Sequence, residues 1–321
     1  MSKAKAVVVH RRDPNNVGDF YSDPLRYFLK EDEYVTVDID NLGREPFPDN
    51  LPIFFGGGGL LCNEFFGHHI NYMFDPPDVM QLNEAWDHRW RLQNPKYDQL
   101  YKEFNNQFKD MVVNTIKKVE NMSNSDVPKV IWGAGHNVRN WTKENDDSEV
   151  RYPKKMKNFD HIGIRDYWND DWAVRNPHID WVPCASCMHP AFDKKYPIKN
   201  DVIIFEHKKQ LIKGSEFGTS SIPRFVNSGS NIEQTVEILG SANTIITNSY
   251  HGAYWGTILG KKVIVIGPWS SKFYSLKHKP HLRAKMMGWE DIIDEVPFYK
   301  TALEESRIAT NRYWKKVKSV L

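Results

Sequence analysis

The residue with the most chemical reach is His251, in the run T-N-S-Y-H-G over positions 247–252. A short β-branched run, Thr244 to Thr247, precedes it. Asn248 and Ser249 supply side-chain oxygens suited to an N-cap, and a helix is expected from about Tyr250 to Leu259. Free backbone N–H groups at such a helix start, from Ser249 to Gly252, attract anions. His251 in the first turn can donate a proton or a hydrogen bond to whatever is held there. The alternative is an imidazole that only caps its own turn. Arg165 is the second such residue. It would emerge at the carboxyl end of a strand over His161 to Arg165, where its fork can grip a carboxylate or phosphate. A salt bridge to Asp166 or Asp170 competes with that role.

Other corners add backbone chemistry. Asn16, Gly18 and Asp19 follow a first strand over Lys5 to His10. Gly56, Gly57, Gly58 and Gly59 follow a strand over Ile53 to Phe55, and Gly133 and Gly135 follow one over Lys129 to Trp132. Glycines remove Cβ atoms, so a backbone can approach a ligand and present its N–H groups. Neither run is G-x-G-x-x-G or a Walker loop. A basic, aromatic stretch holds Lys272, Lys277, Arg283 and neighbouring histidines. It is either a solvated helix face or a contact for an anionic substrate.

These corners need strands feeding helices. Further strands are expected at Tyr34 to Ile39, Asp201 to Glu206, Arg224 to Asn227 and Val263 to Ile266. Asn231 is placed to cap a helix through Leu239, Gly260 to end the Tyr250 helix, and a helix through about Leu29 should follow Gly18. The apolar stripe from Tyr97 to Val119 reads as a core-facing helix, whereas 62–96 shows no period and reads as an insertion or lid. The proline-rich stretch 176–197 reads as a linker or rim.

The pattern predicts an α/β chain of two doubly wound Rossmann-like domains facing a cleft. They are residues 1–175 with the insertion at 62–96, and 176–298 carrying S-Y-H-G. A last segment, 299–321, is a helix expected to pack back on the first domain.

With 321 residues and a net charge of +2, the chain has no global field that would point to nucleic acid or an acidic membrane. No stretch reaches the ~20 apolar residues of a membrane span. The chain does not open on a secretory h-region, and with three cysteines the expected compartment is the cytoplasm. Cys184 and Cys187 form one C-x-x-C with His178 and His189 nearby, but Pro183 and Pro190 point to a loop, against zinc or redox chemistry. No metal is expected.

In order along the chain, N-V-G-D, G-G-G-G-L-L, W-G-A-G, G-I-R-D and T-N-S-Y-H-G…G-K-K-V-I-V-I resemble the polysaccharide pyruvyl transferases over about residues 15–268. The resemblance implies a glycosyltransferase-B-like fold. It implies a transferase that moves pyruvate from phosphoenolpyruvate onto sugar hydroxyls as a ketal, in surface polysaccharide or glycan biosynthesis. The co-substrate is phosphoenolpyruvate, the partner is a sugar or polysaccharide-precursor acceptor, and no further cofactor is implied. The family's donor-site arginine falls on Arg165 and its active histidine on His251. Many members carry Arg-Leu-His where this chain has Ser249-Tyr250-His251, so a second donor arginine is absent; Lys272, Lys277 and Arg283 are the candidate replacements. Two other classes stay open. One is a nucleotide-sugar glycosyltransferase, against which stands the lack of Asp or Glu in residues 250–262. The other is a glycan-binding relative without catalysis.

Overall fold

The computed structural model describes residues 4–39, 42, 46–61, 118, 121–122, 124–138, 141–142, 150, 152, 154–208, 210–212 and 221–321. Among them, eleven strands form two sheets in which every strand pairing is parallel. The first contains β1 (Ala6–His10), β2 (Tyr34–Asp38), β3 (Ile53–Gly56), β4 (Lys129–Ala134), β5 (His161–Ile164) and β6 (Ile179–Trp181). Its order is β2-β1-β3-β4-β5-β6. The second contains β7 (Asn200–His207), β8 (Arg224–Asn227), β9 (Ala242–Thr247), β10 (Lys262–Ile266) and β11 (His281–Arg283), in the order β11-β10-β9-β7-β8. Both are Rossmann-like, and in both the winding direction reverses beside the first strand. The reversal falls between β1 and β3 in one sheet and between β7 and β9 in the other. Crevices outside the carboxyl ends at such reversals are where doubly wound sheets bind ligands.

Side-chain alternation explains why both faces of each sheet are covered. Val7, Val9, Ile53, Phe55 and Ile131 enter one buried cluster, while Ala6, Val8, Phe54, Val130 and Trp132 enter another. In the second sheet Ile203, Phe205, Ile245 and Val263 oppose Ile204, Ile246 and Ile264 in the same way. Strands buried on both faces carry apolar runs at their centres, as Val7 to Val9 and Ile203 to Phe205 do.

The helix Tyr250–Ile258 follows β9 directly. It ends where Gly260 takes a positive φ, with Gly260 N–H donating to the Thr257 carbonyl and Lys261 N–H to the Gly256 carbonyl. Asn231 caps the helix Ile232–Gly240 through its side chain. The last helix, Ala302–Val317, lies on the first sheet. There the Tyr313 hydroxyl donates to the Ile131 carbonyl at 2.7 Å, and Trp314 stacks on Phe28.

Three expectations need correction. The helix after Gly18 covers only Val17–Phe20; Pro24 opens a separate 3-10 turn, Leu25–Tyr27, whose first N–H groups are taken by Asp23. The stretch 176–197 is not simply a linker, because Ile179–Trp181 is the edge strand of the first sheet. The basic stretch near 280 is not a helix face: His281–Arg283 pairs with β10 as an edge strand. The insertion at 62–96 and nearly all of the Tyr97 to Val119 stripe lie outside the described residues. Among the described residues no helix is long and apolar enough to cross a membrane.

Candidate functional site

Residues from both sheets meet at the carboxyl ends of β1, β5 and β9. Gly18, just beyond β1, lies against His251, just beyond β9. A Cβ on Gly18 would sit 1.8 Å from Nδ1 of His251, so only glycine fits there without moving the ring. Nearby, the Asn227 amide donates to Asn16 Oδ1 at 3.2 Å and to Ser249 Oγ at 3.1 Å, and Asn16 donates to Asp19 at 2.8 Å. One continuous chain of polar contacts therefore runs from Asp19 to Ser249 across the two sheets.

His251 is only 4% exposed. Trp255 packs at 5.0 Å between ring centroids, and Cys184 Sγ lies 3.9 Å from Nε2. Burial, and then the positive charges of Arg165 and Lys272, push its pKa well below the usual histidine value. The free protein thus holds His251 neutral at pH 7. Its neighbour Tyr250 carries the Arg165 guanidinium 3.8 Å above its ring. Arg165 is also 4% exposed, and its Nε and Nη1 have no hydrogen-bond partner among the described residues.

The competing carboxylates are committed elsewhere. Asp166 accepts from the His136 N–H at 2.7 Å, the Tyr152 hydroxyl at 2.8 Å and Ser275 Oγ at 2.9 Å. Asp170 accepts from the Tyr167 hydroxyl. Burial raises the Asp166 pKa to about 6 against the lowering effect of Arg165 and these donors. Asp19 is likewise raised by burial, opposed chiefly by Arg11 and Lys272. Lys272 therefore belongs electrostatically to this site; its ammonium also lies 4.0 Å from the centre of the Trp269 ring.

Not every expected contact is brought here. The Gly57 N–H donates to the Trp132 carbonyl and the Gly135 N–H to the Gly58 carbonyl, so these two amides are not presented to a ligand. The glycine corners instead permit close packing: a Cβ on Gly56 would strike Pro24, and one on Gly135 would come 2.4 Å from Arg165 Nε. Gly133 takes a positive φ at the register shift in β4, with the Pro183 carbonyl 3.0 Å from where its Cβ would be. Asn248 is structural, tying the His207 N–H to the Gln210 carbonyl. Ser249 Oγ caps the helix through the Gly252 N–H, and Gly252 lets the helix approach Thr247 and Phe205. Arg283 bonds the Met287 carbonyl at the outer edge strand, away from this gap.

Lys277 lines a neighbouring cleft of about 300 Å³, counting the part open to solvent, with Arg165, Trp181, Tyr250 and His278. His251 does not line it. Cys184 and Cys187 are buried, unpaired thiols with pKa values raised by burial, Cys187 to about 11. Among the described residues no cluster of three or more His, Cys, Asp or Glu is arranged to hold a metal ion.

The sequence reading missed the loop 269–275 as a docking element. Ser270 Oγ donates to Asn137, the Ser271 N–H to the Val138 carbonyl, and the Tyr167 N–H to the Ser275 carbonyl. It also missed Asn227 and His136. The only signal was three small hydroxyls among aromatic residues just past a strand end. Comparison with protein-family models finds no match, and none is found among curated proteins. Among solved structures, a functionally uncharacterized protein from Klebsiella pneumoniae aligns with 82% of this chain and 83% of its own, at 12% identity and a TM-score of 0.36.

Proposed function

We propose that this chain transfers the pyruvyl group of phosphoenolpyruvate to a sugar as a ketal. The reading rests on the sequence resemblance and on one observation: Arg165 is a buried cation whose Nε and Nη1 have no hydrogen-bond partner among the described residues. Buried donors of a cation left unpaired are costly in general, so a guanidinium with two such nitrogens suits a site that an anion completes. Arg165, Lys272 and the start of the Tyr250 helix supply positive potential for a donor carrying both a carboxylate and a phosphate. Lys272 replaces the missing arginine in this account, since the Ser249 hydroxyl is occupied by Asn227 and Gly252.

The chemistry then needs one proton on the donor's methylene carbon. Addition of that proton leaves a cation stabilised by the enol oxygen, and a sugar hydroxyl attacks it, losing its own proton to a base. Phosphate departs with the carbon–oxygen bonding pair, and a second hydroxyl closes the ketal as its proton leaves. His251 is neutral in the free protein, so it accepts a proton when the anionic donor arrives and then returns one as the acid. Calorimetric titration of phosphoenolpyruvate into wild type and Arg165→Ala tests the binding half of this account. Micromolar to millimolar affinity that Arg165→Ala removes is expected. Equal affinity in both proteins would refute it.

A further inference from the structure

Beyond β6 the chain forms the 3-10 turn Ala185–Met188, with Cys184 at its start. This turn lies against one face of the Tyr250 helix. His251 and Trp255 are four residues apart, so both side chains leave the helix on that face. Cys184 meets the first and Ser186 the second. The sulfur lies 3.9 Å from His251 Nε2, and the Trp255 indole N–H donates to Ser186 Oγ at 2.9 Å. The Tyr254 hydroxyl fixes the turn by donating to the Cys184 carbonyl at 3.0 Å. Cys184, Ser186, His251 and Trp255 are all buried. The direction of each hydrogen follows from the one group that can only donate. An indole N–H has no acceptor capacity, so Ser186 Oγ accepts there and its own hydrogen goes to Cys184 Sγ at 3.2 Å. The Ser186 backbone N–H donates to the same sulfur. With two donors on Sγ, the thiol hydrogen is left for Nε2. The reverse arrangement, with a hydrogen on Nε2, would aim a third donor at one weakly accepting sulfur. Burial raises the thiol pKa and lowers the imidazole pKa, so the two groups are neutral and do not form a thiolate–imidazolium pair.

We propose that Cys184 is a positioning residue that holds His251 in the Nδ1–H tautomer, so that the working proton of the histidine sits on Nδ1. That nitrogen is the ring atom nearest to a Cβ built on Gly18, on the side where the two sheets meet, while Nε2 is turned toward Cys184. Free histidine in water favours the opposite tautomer, with its hydrogen on Nε2, so the surrounding hydrogen bonds must impose this one. What the proton does rests on the transferase reading above. In that reading the donor charges the ring, the Nδ1–H bond breaks toward the methylene carbon, and its electron pair stays on Nδ1. Nδ1 then takes up the proton that the attacking hydroxyl sheds.

Long-range proton–nitrogen NMR of protein isotopically labelled at its histidine nitrogens tests the proposal on the free chain near pH 8, where even an unperturbed imidazole is neutral. His251→Gln assigns the signal. In wild type, Nδ1 should show the shift of a hydrogen-bearing nitrogen and Nε2 that of a bare one. Cys184→Ser, which keeps a hydroxyl donor at the same place, should retain that pattern. Cys184→Ala should lose it in favour of Nε2–H, with melting temperature as the control for folding. A hydrogen on Nε2 in wild type overturns the proposal whatever the variants do, and so does an unchanged Nδ1–H pattern in folded Cys184→Ala. Turnover of phosphoenolpyruvate with an acceptor sugar tests the consequence. Cys184→Ala should lower kcat by about tenfold or more at unchanged donor affinity, and Cys184→Ser should restore it. An unchanged kcat in a Cys184→Ala protein whose tautomer has shifted overturns the positioning role. The expected tautomer in a wild type that does not turn over phosphoenolpyruvate would instead refute the donor reading and leave the tautomer assignment standing.

Discussion

Gly18→Ala probes the closest approach between the two halves of the site. The added Cβ would lie 1.8 Å from Nδ1, 2.1 Å from Cγ and 2.3 Å from Cε1 of His251, all below any real contact distance. Gly18 lies in the short helix Val17–Phe20, so intrinsic propensity alone would favour alanine by about 1 kcal/mol. The sign therefore depends on whether the imidazole can move. Trp255 packs on it at 5.0 Å, Tyr250 at 5.2 Å edge-on, and Cys184 lies 3.9 Å from Nε2, so a displaced ring must disturb buried neighbours. Overpacking of this kind costs typically ~1–3 kcal/mol, which outweighs the helix gain at the upper end of that range. In thermal unfolding followed by fluorescence, Gly18→Ala should melt several degrees below wild type. The double variant Gly18→Ala/His251→Ala should recover much of that loss relative to His251→Ala alone, because the clashing ring is gone. A wild-type melting temperature in Gly18→Ala, or no coupling in the double-mutant cycle, would refute the packing described here.

Other outcomes follow from the same geometry. Arg165→Met should abolish anion binding and push the Asp166 pKa above about 6, read as a shift of the pH-dependent urea stability to higher pH, because it removes the buried charge that opposes the burial of that carboxyl. Donor binding near pH 7 should take up protons, read as a dependence of binding enthalpy on buffer ionisation, because a phosphate beside His251 raises a pKa that burial has lowered. Asp166, raised from 3.8 to about 6 in the folded chain, favours folding below pH 4, and this contribution is lost as pH rises through 6. It should amount to roughly 2–3 kcal/mol of pH-dependent stability, absent in Asp166→Asn when the two proteins are unfolded in urea from pH 4 to 8. Tyr313→Phe should lose about 1 kcal/mol by removing the buried hydrogen bond to the Ile131 carbonyl, measured by urea unfolding at neutral pH.

Much of the fold could be read from local pattern. Val7 to Val9, Ile245 to Thr247 and Val263 to Ile266 are β-branched runs between turn signals, and each lies in a parallel strand. Asn231 and Gly260 announce helix ends whose chemistry depends on neighbouring residues alone. The three-residue edge strands were hidden, since Ile179–Trp181 and His281–Arg283 are too short for a period and sit in polar, proline-bearing or basic surroundings.

The site was legible only in part. Corners that follow strands place Gly18, Arg165 and His251, because topology dictates where strand ends meet. The Asp166 hydrogen bonds and the Asn227 bridge join residues 30 and 211 positions apart in sequence, and no local rule pairs them. The glycine corners misled for a related reason. A glycine that frees its N–H for a ligand and one that accepts a neighbouring side chain look alike in sequence, and Gly56 and Gly135 are of the second kind.

The central claim is a transfer from phosphoenolpyruvate, and phosphorus NMR of the purified protein with that donor measures it directly. The account predicts that the phosphoenolpyruvate signal is replaced by inorganic phosphate only when an acceptor sugar is present. The sugar should gain the mass of one pyruvyl ketal, and Arg165→Met should show neither change. Stable phosphoenolpyruvate across a panel of neutral and acidic sugars, with release of a nucleoside diphosphate from a sugar nucleotide under the same conditions, would contradict it.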